Sequence, residues 1–297
     1  MCLSALLCSC LFMRKSVIFS HLFYFFMEAY LSRIEARKVE EQSEILSYRI
    51  NHIDPSVLNA MRRTIISDVP TVAIHWVYIR ENETVMADEI LSHRLGLIPI
   101  IVDAKDFERV VKTPELDPFT ELTDKNSIQM ELVITNNTDK ILTVRSNDIK
   151  ILSKTNAAIK QNVIITRLVP GKKIECRLFA IIGTGREHSK WMPTSVCYYR
   201  TIKKLEMKDP SKAAEIQKYF RDGFSVRNGQ AIVDEDKLLV NMDIEKKYPN
   251  EIKIHTESDS FLFEIEGITA SPETILKKGI RIIKDKLKEL KMATDNK

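Results

Sequence analysis

The last helix constrains this 297-residue chain more than any other stretch of it. Ser271-Pro272-Glu273 supplies an N-cap hydroxyl, a proline at the first helical position and an acid against the helix dipole. Behind that start, Leu276, Ile280, Ile283, Leu287 and Leu290 recur at steps of four and three, on average about 3.5, the period of a helix–helix seam. Lys277, Lys278, Lys284, Lys286 and Lys288 cover the other faces. Burying the five apolar residues is worth on the order of 10 kcal/mol. Such a helix folds against its own sheet, a partner helix or both, and Ile275 and Ile282 widen its apolar face to allow both.

Upstream, periodicity predicts a strand over Ile45–Ile53, then a helix opened by Asp54-Pro55 and ended by Asp68-Val69-Pro70. Leu58, Met61 and Ile65 share its apolar face, Arg62 lies at the rim and Arg63 round the back. From about Thr71 to Arg200 the chain reads as β-rich, with strands over Val72–Arg80, Ser127–Thr135, Ile141–Val144, Ile149–Leu152, Val163–Leu168 and Ile174–Ile182. A short helix over Asp88–Leu95, closed by Gly96, interrupts them. Then come a helix over Ser211–Arg221, a polar stretch over Asp234–Asn250, and two strands over Glu251–Glu257 and Ser260–Ile268. The expected class is α+β.

Composition removes several classes. Hydrophobic residues at 44% and charged residues at 29% belong to a globular chain, and a net charge of +4 is too small for a nonspecific nucleic-acid coat. Five Cys, an odd number, argue against a disulfide scaffold. Residues 1–26 differ from the rest: two apolar runs separated by Arg14-Lys15, neither long enough to span a bilayer. They read as an extension outside the fold, with Met27 opening the working protein.

Catalytic chemistry is hard to find. Gly183 to Lys190 invites a phosphate-loop reading, but the spacing of the loop's glycines and lysine is wrong and no strong helix follows. Cys176 and Cys197 are too far apart for a zinc half-site. His188 with Cys197 is the one nucleophile–base pair on offer, and a Cys in a β-rich segment is more often a small core hydrophobe.

Two segments go beyond pattern. Asn59–Ile100, with its NAMRR helix and DEILSHRLGLIPI run, resembles the alpha-type subunits of archaeal and eukaryotic DNA-directed RNA polymerases. Arg167–Arg200 is similar to the same family's His-Ala-Lys-Trp-x-Pro stretch, here His188-Ser189-Lys190-Trp191-Met192-Pro193. Phe261–Leu290 resembles its strand-then-helix ending. The resemblance implies a split dimerisation domain of strands plus two helices (27–70 and 204–297) with a β-rich insertion domain (71–203). It implies a non-catalytic assembly subunit that pairs with a smaller alpha-like subunit, the pair forming the platform for two large catalytic subunits. DNA is then met only through the complex, no membrane is involved, and the location is the nucleus, or a viral factory or virion if a large DNA virus encodes the chain.

Residue roles follow from the same resemblance. Leu58, Met61, Ile65, Leu276, Ile280, Ile283 and Leu287 are expected to form the shared core and seam with the partner. Arg62, Arg63, His188, Lys190 and Trp191 are candidates for contacts to a large subunit; a solvated helix face is the rival for the arginines, and core packing is the rival for Trp191. Some family members carry an iron–sulfur cluster or zinc on clustered cysteines. Beyond residue 10 this chain has only Cys176 and Cys197, so no metal or other cofactor is expected. The alternative function is a stand-alone nucleic-acid-binding protein using the basic C-terminal helix. Alternation of its lysines with an apolar seam, Asp285 and Glu289 suits a solvated face better than a phosphate track.

Overall fold

A computed structural model describes residues 32–295 apart from 114, 228, 241 and 242; the extension expected over 1–26 lies outside the described residues. In chain order the elements are β1 (Glu35–Glu41), β2 (Ile45–Asn51), α1 (Pro55–Asp68), β3 (Pro70–Asn82), α2 (Asp88–Gly96), β4 (Ile100–Ile101), α3 (Pro118–Glu121), β5 (Ser127–Thr135), β6 (Leu142–Arg145), β7 (Lys150–Ile151), β8 (Ala158–Ile159), β9 (Ile164–Leu168) and β10 (Lys173–Thr184). There follow β11 (Thr194–Met207), α4 (Ala213–Ile216), β12 (Phe224–Arg227), β13 (Gln230–Val233), α5 (Asp243–Lys247), β14 (Ile252–Gly267) and α6 (Pro272–Asp295). Two four-stranded sheets have the orders β1-β2-β14-β11 and β3-β10-β5-β7, and β4–β8, β6–β9 and β12–β13 form two-stranded pairs. This mixture of sheet and helix is the α+β class that the sequence predicts. None of the helices among the described residues is long and apolar enough to cross a membrane.

The chain divides into two compact units. The larger comprises Lys38–Ser47, Ser56–Tyr199 and the segment from Phe263 onward. Its centre is β10, whose near-continuous apolar run (KIECRLFAIIGT) fits a strand covered on both faces. Ile174, Cys176, Leu178 and Ala180 face one core with Ile128, Met130 and Leu132 of β5 and with Leu91 and Leu95 of α2. Phe179 and Ile181 face the other, with Ala73, Leu122 and Trp191. The β3–β10 register slips twice, at Glu175/Cys176 and at Phe179/Ala180; at the second slip Phe179 pairs with Trp76 and Ala180 with Ile74, so His75 between them has no partner. That extra residue is a β-bulge, the usual device for re-aiming a side chain.

The smaller unit comprises Tyr48–Pro55, Arg200–Leu262 and the described residues up to Arg37. Ala213, Ile216, Phe220, Phe224, Leu238, Ile244, Tyr248 and Ile252 form its core. Arg49 ties it together: Nη1 reaches Glu235 at 3.1 Å and Asp236 at 3.2 Å, and Nη2 reaches Glu257 at 3.4 Å.

Three local expectations change. The helix expected over Ser211–Arg221 is one α turn, α4, between 3-10 turns, because Pro210 starts it and its short apolar stripe cannot sustain further turns against a small core. The two strands expected over Glu251–Glu257 and Ser260–Ile268 are one, β14. Backbone pairing carries the chain through the polar Ser258-Asp259 step, where Asp259 accepts a bond from the Ile53 N–H at 3.3 Å. Gly96 does not close α2 from outside but forms its last residue, and Leu97 caps it in right-handed geometry.

Candidate functional site

α6 has two apolar faces. Its inner face lies on the body of the larger unit: Ile275 is 1% exposed, and Gly279 is buried where a Cβ would come within 2.7 Å of Ile65 Cγ1. Its outer face carries the seam read from the sequence. Ile280, Leu287 and Leu290 are 42%, 53% and 62% exposed, with Leu276 and Ile283 half-buried beside them. The hydrophobic effect gives a monomer no reason to keep such a row in water. Ion pairs fix the helix in place. Lys278 reaches Asp103 at 2.9 Å, Lys286 pairs with Asp68, and Lys277 and Lys288 pair within the helix with Glu273 and Asp285. Four of its lysines are thus engaged by carboxylates, which suits a solvated face rather than a phosphate track.

α1 divides its residues the same way. Leu58 and Ile65 are 0% and 1% exposed and belong to the chain's own interior, leaving half-buried Met61 as the member of that trio within reach of a partner. Arg62 is half-buried and donates from Nη2 to Asn59 Oδ1 at 3.0 Å. Arg63 is exposed, with no ion-pair partner among the described residues. At the helix end Asp68 meets Arg186 at 2.9 Å as well as Lys286. Burial pushes its carboxyl up, but Lys286, Ser67 and Arg186 outweigh that and hold it below the usual range.

His188, Lys190 and Trp191 stand around a 3-10 turn over Ser189–Trp191 that lies along β3, a strand at the edge of its sheet. Trp191 is core: it is 2% exposed and donates from Nε1 to the Ile181 carbonyl at 3.1 Å. Gly183 leaves the space for its ring, since a Cβ there would meet the indole at 2.4 Å. Direct docking by Trp191 is thereby replaced by support for its neighbours. Lys190 Nζ donates to the Ile74 carbonyl at 2.9 Å and lies 3.1 Å from His75 Nδ1. Next to them opens a cavity of about 360 Å³ lined by His75, Ser92, His93, Leu97, His188 and Lys190 among others. Burial, then the charges on Lys190 and Lys112, push the His75 pKa down to about 4. Burial, then Lys112, lower that of Lys190 to about 8. Sequence reasoning marked the turn and missed His75, because a bulge leaves no trace in period-2 alternation.

Neither cysteine is set up for catalysis. Burial pushes both Cys176 and Cys197 up to about 12, the nearby Glu175 adding at Cys176 and Arg62 opposing weakly at Cys197. A thiol held there has almost no thiolate at neutral pH. Among the described residues, no group of three or more His, Cys, Asp or Glu side chains is placed to hold a metal ion.

Comparison with known proteins finds the chain similar to RNA polymerase subunits. Residues 48–287 match the family model of the RNA polymerase Rpb3/Rpb11 dimerisation domain. The chain is 28% identical to DNA-directed RNA polymerases I and III subunit RPAC1 of Saccharomyces cerevisiae, over 89% of this chain and 86% of that protein. It is 30% identical to DNA-directed RNA polymerase subunit Rpo3 of Methanopyrus kandleri, over 84% of this chain and 90% of that one. It is 28% identical to DNA-directed RNA polymerase II subunit rpb3 of Dictyostelium discoideum, over 86% and 93%.

Proposed function

This chain belongs to the family of the RNA polymerase Rpb3/Rpb11 dimerisation domain, the non-catalytic alpha-like subunits of DNA-directed RNA polymerases, and from that premise we propose that the outer face of α6 is its pairing surface. The partner is a smaller alpha-like subunit, and the pair forms the nuclear platform on which two large catalytic subunits assemble. Residues 27–70 and 204–297 act in this reading as the dimerisation domain, with 71–203 inserted.

The exposed row Ile280, Leu287 and Leu290 carries the reading. Covering what remains exposed of each yields on the order of 1 kcal/mol. Obligate interfaces usually exceed about 2,000 Å², so the surface extends beyond α6 to Met61 and the exposed Val57 of α1. Arg62 and Arg63 then stand at its margin, where polar contacts to a large subunit fit.

Co-expression of the full chain with a smaller alpha-like subunit tests this on a sizing column. A stoichiometric pair that Ile283→Asp abolishes supports it. A cooperative monomer that ignores the alpha-like subunit, or a pair that Ile283→Asp leaves intact, overturns it.

A further inference from the structure

We propose that the cavity beside His75 and Lys190 receives a carboxylate, an Asp or Glu side chain presented by another subunit of the polymerase. The proposal rests on the assembly reading and adds to it a second docking point, with a stated chemistry.

Charge is the first ground. Lys190 is half-buried, and its ammonium bonds a backbone carbonyl and an imidazole but has no carboxylate within ion-pair distance among the described residues. The other lining residues named above bring three imidazoles and the Ser92 hydroxyl, all able to donate, and no acid lines the cavity. An acid close by, Glu187, is already taken, paired with Arg109 at 2.7 Å and with Lys112. Lys112 adds a further cation, its Nζ 3.9 Å from the Trp191 ring centroid, with Lys190 Nζ 4.5 Å from the same ring. Lys112 keeps its counter-ion in Glu187, so it is the partly desolvated Lys190 ammonium that is complete only when an acceptor enters.

Shape is the second. The cavity is the size of a side chain with its flanking backbone, and part of its lining is apolar: Leu97, 47% exposed, stands beside Ile74 and Val77. That combination of charged and apolar lining suits an acidic residue on a polypeptide with an apolar neighbour. A free phosphate finds less. The end of α2 at the cavity, around His93, Gly96 and Leu97, is the carbonyl end of the helix, which opposes any anion and opposes a doubly charged phosphate more than a singly charged carboxylate. His75 is left unpaired at the bulge in the β3–β10 ladder, and its ring lines the cavity beside Lys190.

Zero-length coupling tests this in purified polymerase containing the full chain. A carbodiimide activates the docked carboxylate, Lys190 Nζ attacks it, and the amide forms as the reagent leaves as its urea. Peptide mass spectrometry is expected to find Lys190 joined to an Asp or Glu of another subunit. Acetylation of Lys190 by an N-hydroxysuccinimide ester is expected to be about tenfold or more slower in the polymerase than in the alpha-like heterodimer. Lys190→Gln should release that subunit at lower salt, and Lys190→Arg should keep it. Lys190 labelled equally in both states, or protected without coupling to any acid, overturns the proposal. Protection that disappears on exhaustive dialysis, and returns with inorganic phosphate, assigns the site to a free anion and also overturns it. A chain that enters no polymerase at all overturns the assembly reading and this one together, whereas a polymerase with Lys190 uncoupled overturns this one alone.

Discussion

Gly279 sits directly on the side chain of Ile65, with room for no atom between its Cα hydrogens and Ile65 Cγ1, which a Cβ would approach to 2.7 Å. Glycine inside a helix costs about 1 kcal/mol against alanine, and here the cost accompanies the close approach of α6 to α1. The contact orients α6: with Gly279 and Ile275 turned inward, Ile280 and Leu287 turn outward.

Gly279→Ala tests that relationship through its sign. In an uncrowded helix the substitution stabilises, but here Ile65 is β-branched on a helix, and its χ1 has little freedom to yield. Overpacking of about 1–3 kcal/mol should exceed the propensity gain and leave a net loss near 1 kcal/mol. Truncating the neighbour reverses the sign: in an Ile65→Ala background, Gly279→Ala should stabilise, because its methyl enters the space vacated. Urea midpoints of the four members of the cycle decide it, and a stabilised single variant would show the approach to be looser.

Asp68 holds the other end of the same helix pair. As the last residue of α1 it opposes the helix dipole, and it is tolerated because Arg186 and Lys286 converge on it. Asp68→Asn should cost about 1 kcal/mol, since both cations are exposed enough to regain water. The loss should be local. Amide exchange should accelerate around Lys286 and stay unchanged at Ile275–Gly279, and added salt should shrink the difference between variant and parent.

How much of this was legible in the sequence depends on what each element is made of. α6, α1 and β5 follow their apolar periods closely, because burial on one face imposes the spacing, whereas β10 shows as a near-continuous apolar run because both its faces are covered. The strands that escaped notice are those whose partners, not their residues, make them strands. β1 (EARKVEE) is charged and almost wholly exposed, and β11 runs through Arg200, Lys203, Lys204 and Glu206. The seam was legible as a stripe but not as two faces: periodicity groups Ile275 with Leu276, and only packing separates the buried one from its half-buried neighbour. Lys190 was found through its motif. His75 depends on a bulge set by Phe179 and Ala180 of β10, about a hundred residues further along the chain, and no local signal encodes that.

The pH dependence of stability should expose His75. Its ring titrates near 4 in the folded chain against an ordinary 6.5, so below 6.5 the unfolded chain takes up the proton first. Stability therefore falls as pH drops from about 6.5 toward 4, and His75 adds no slope above that window. The groups facing it set the shift: burial, Lys190, Lys112 and His188 lower it, while Glu187 opposes them. The slope should stay below the roughly 1.4 kcal/mol per pH unit of one full proton, since the ring is only half-buried. Urea midpoints at about pH 7.5 and 5 should separate more for the parent than for His75→Gln; equal separations would mean that the ring is better hydrated than its position implies.

The outer face of α6 makes the sharpest distinction between folding and pairing. Ile280→Asp and Leu287→Asp place a carboxylate where the chain alone already meets water, at 42% and 53% exposure, so each should leave the free chain's circular dichroism and melting unchanged within about 0.5 kcal/mol. In the complex the same carboxylate is trapped without a partner, a penalty of about 2–4 kcal/mol that weakens the pairing by roughly 30-fold to 1,000-fold. Ile275→Asp, one residue before the seam begins, should do the opposite: at 1% exposure it removes a core side chain and should unfold the larger unit before any partner is added. Titrating a smaller alpha-like subunit into each variant, by calorimetry alongside thermal melts, separates the two faces. The pairing assignment fails if Ile280→Asp and Leu287→Asp bind as the parent does, and the two-faced description of α6 fails if they unfold as Ile275→Asp does.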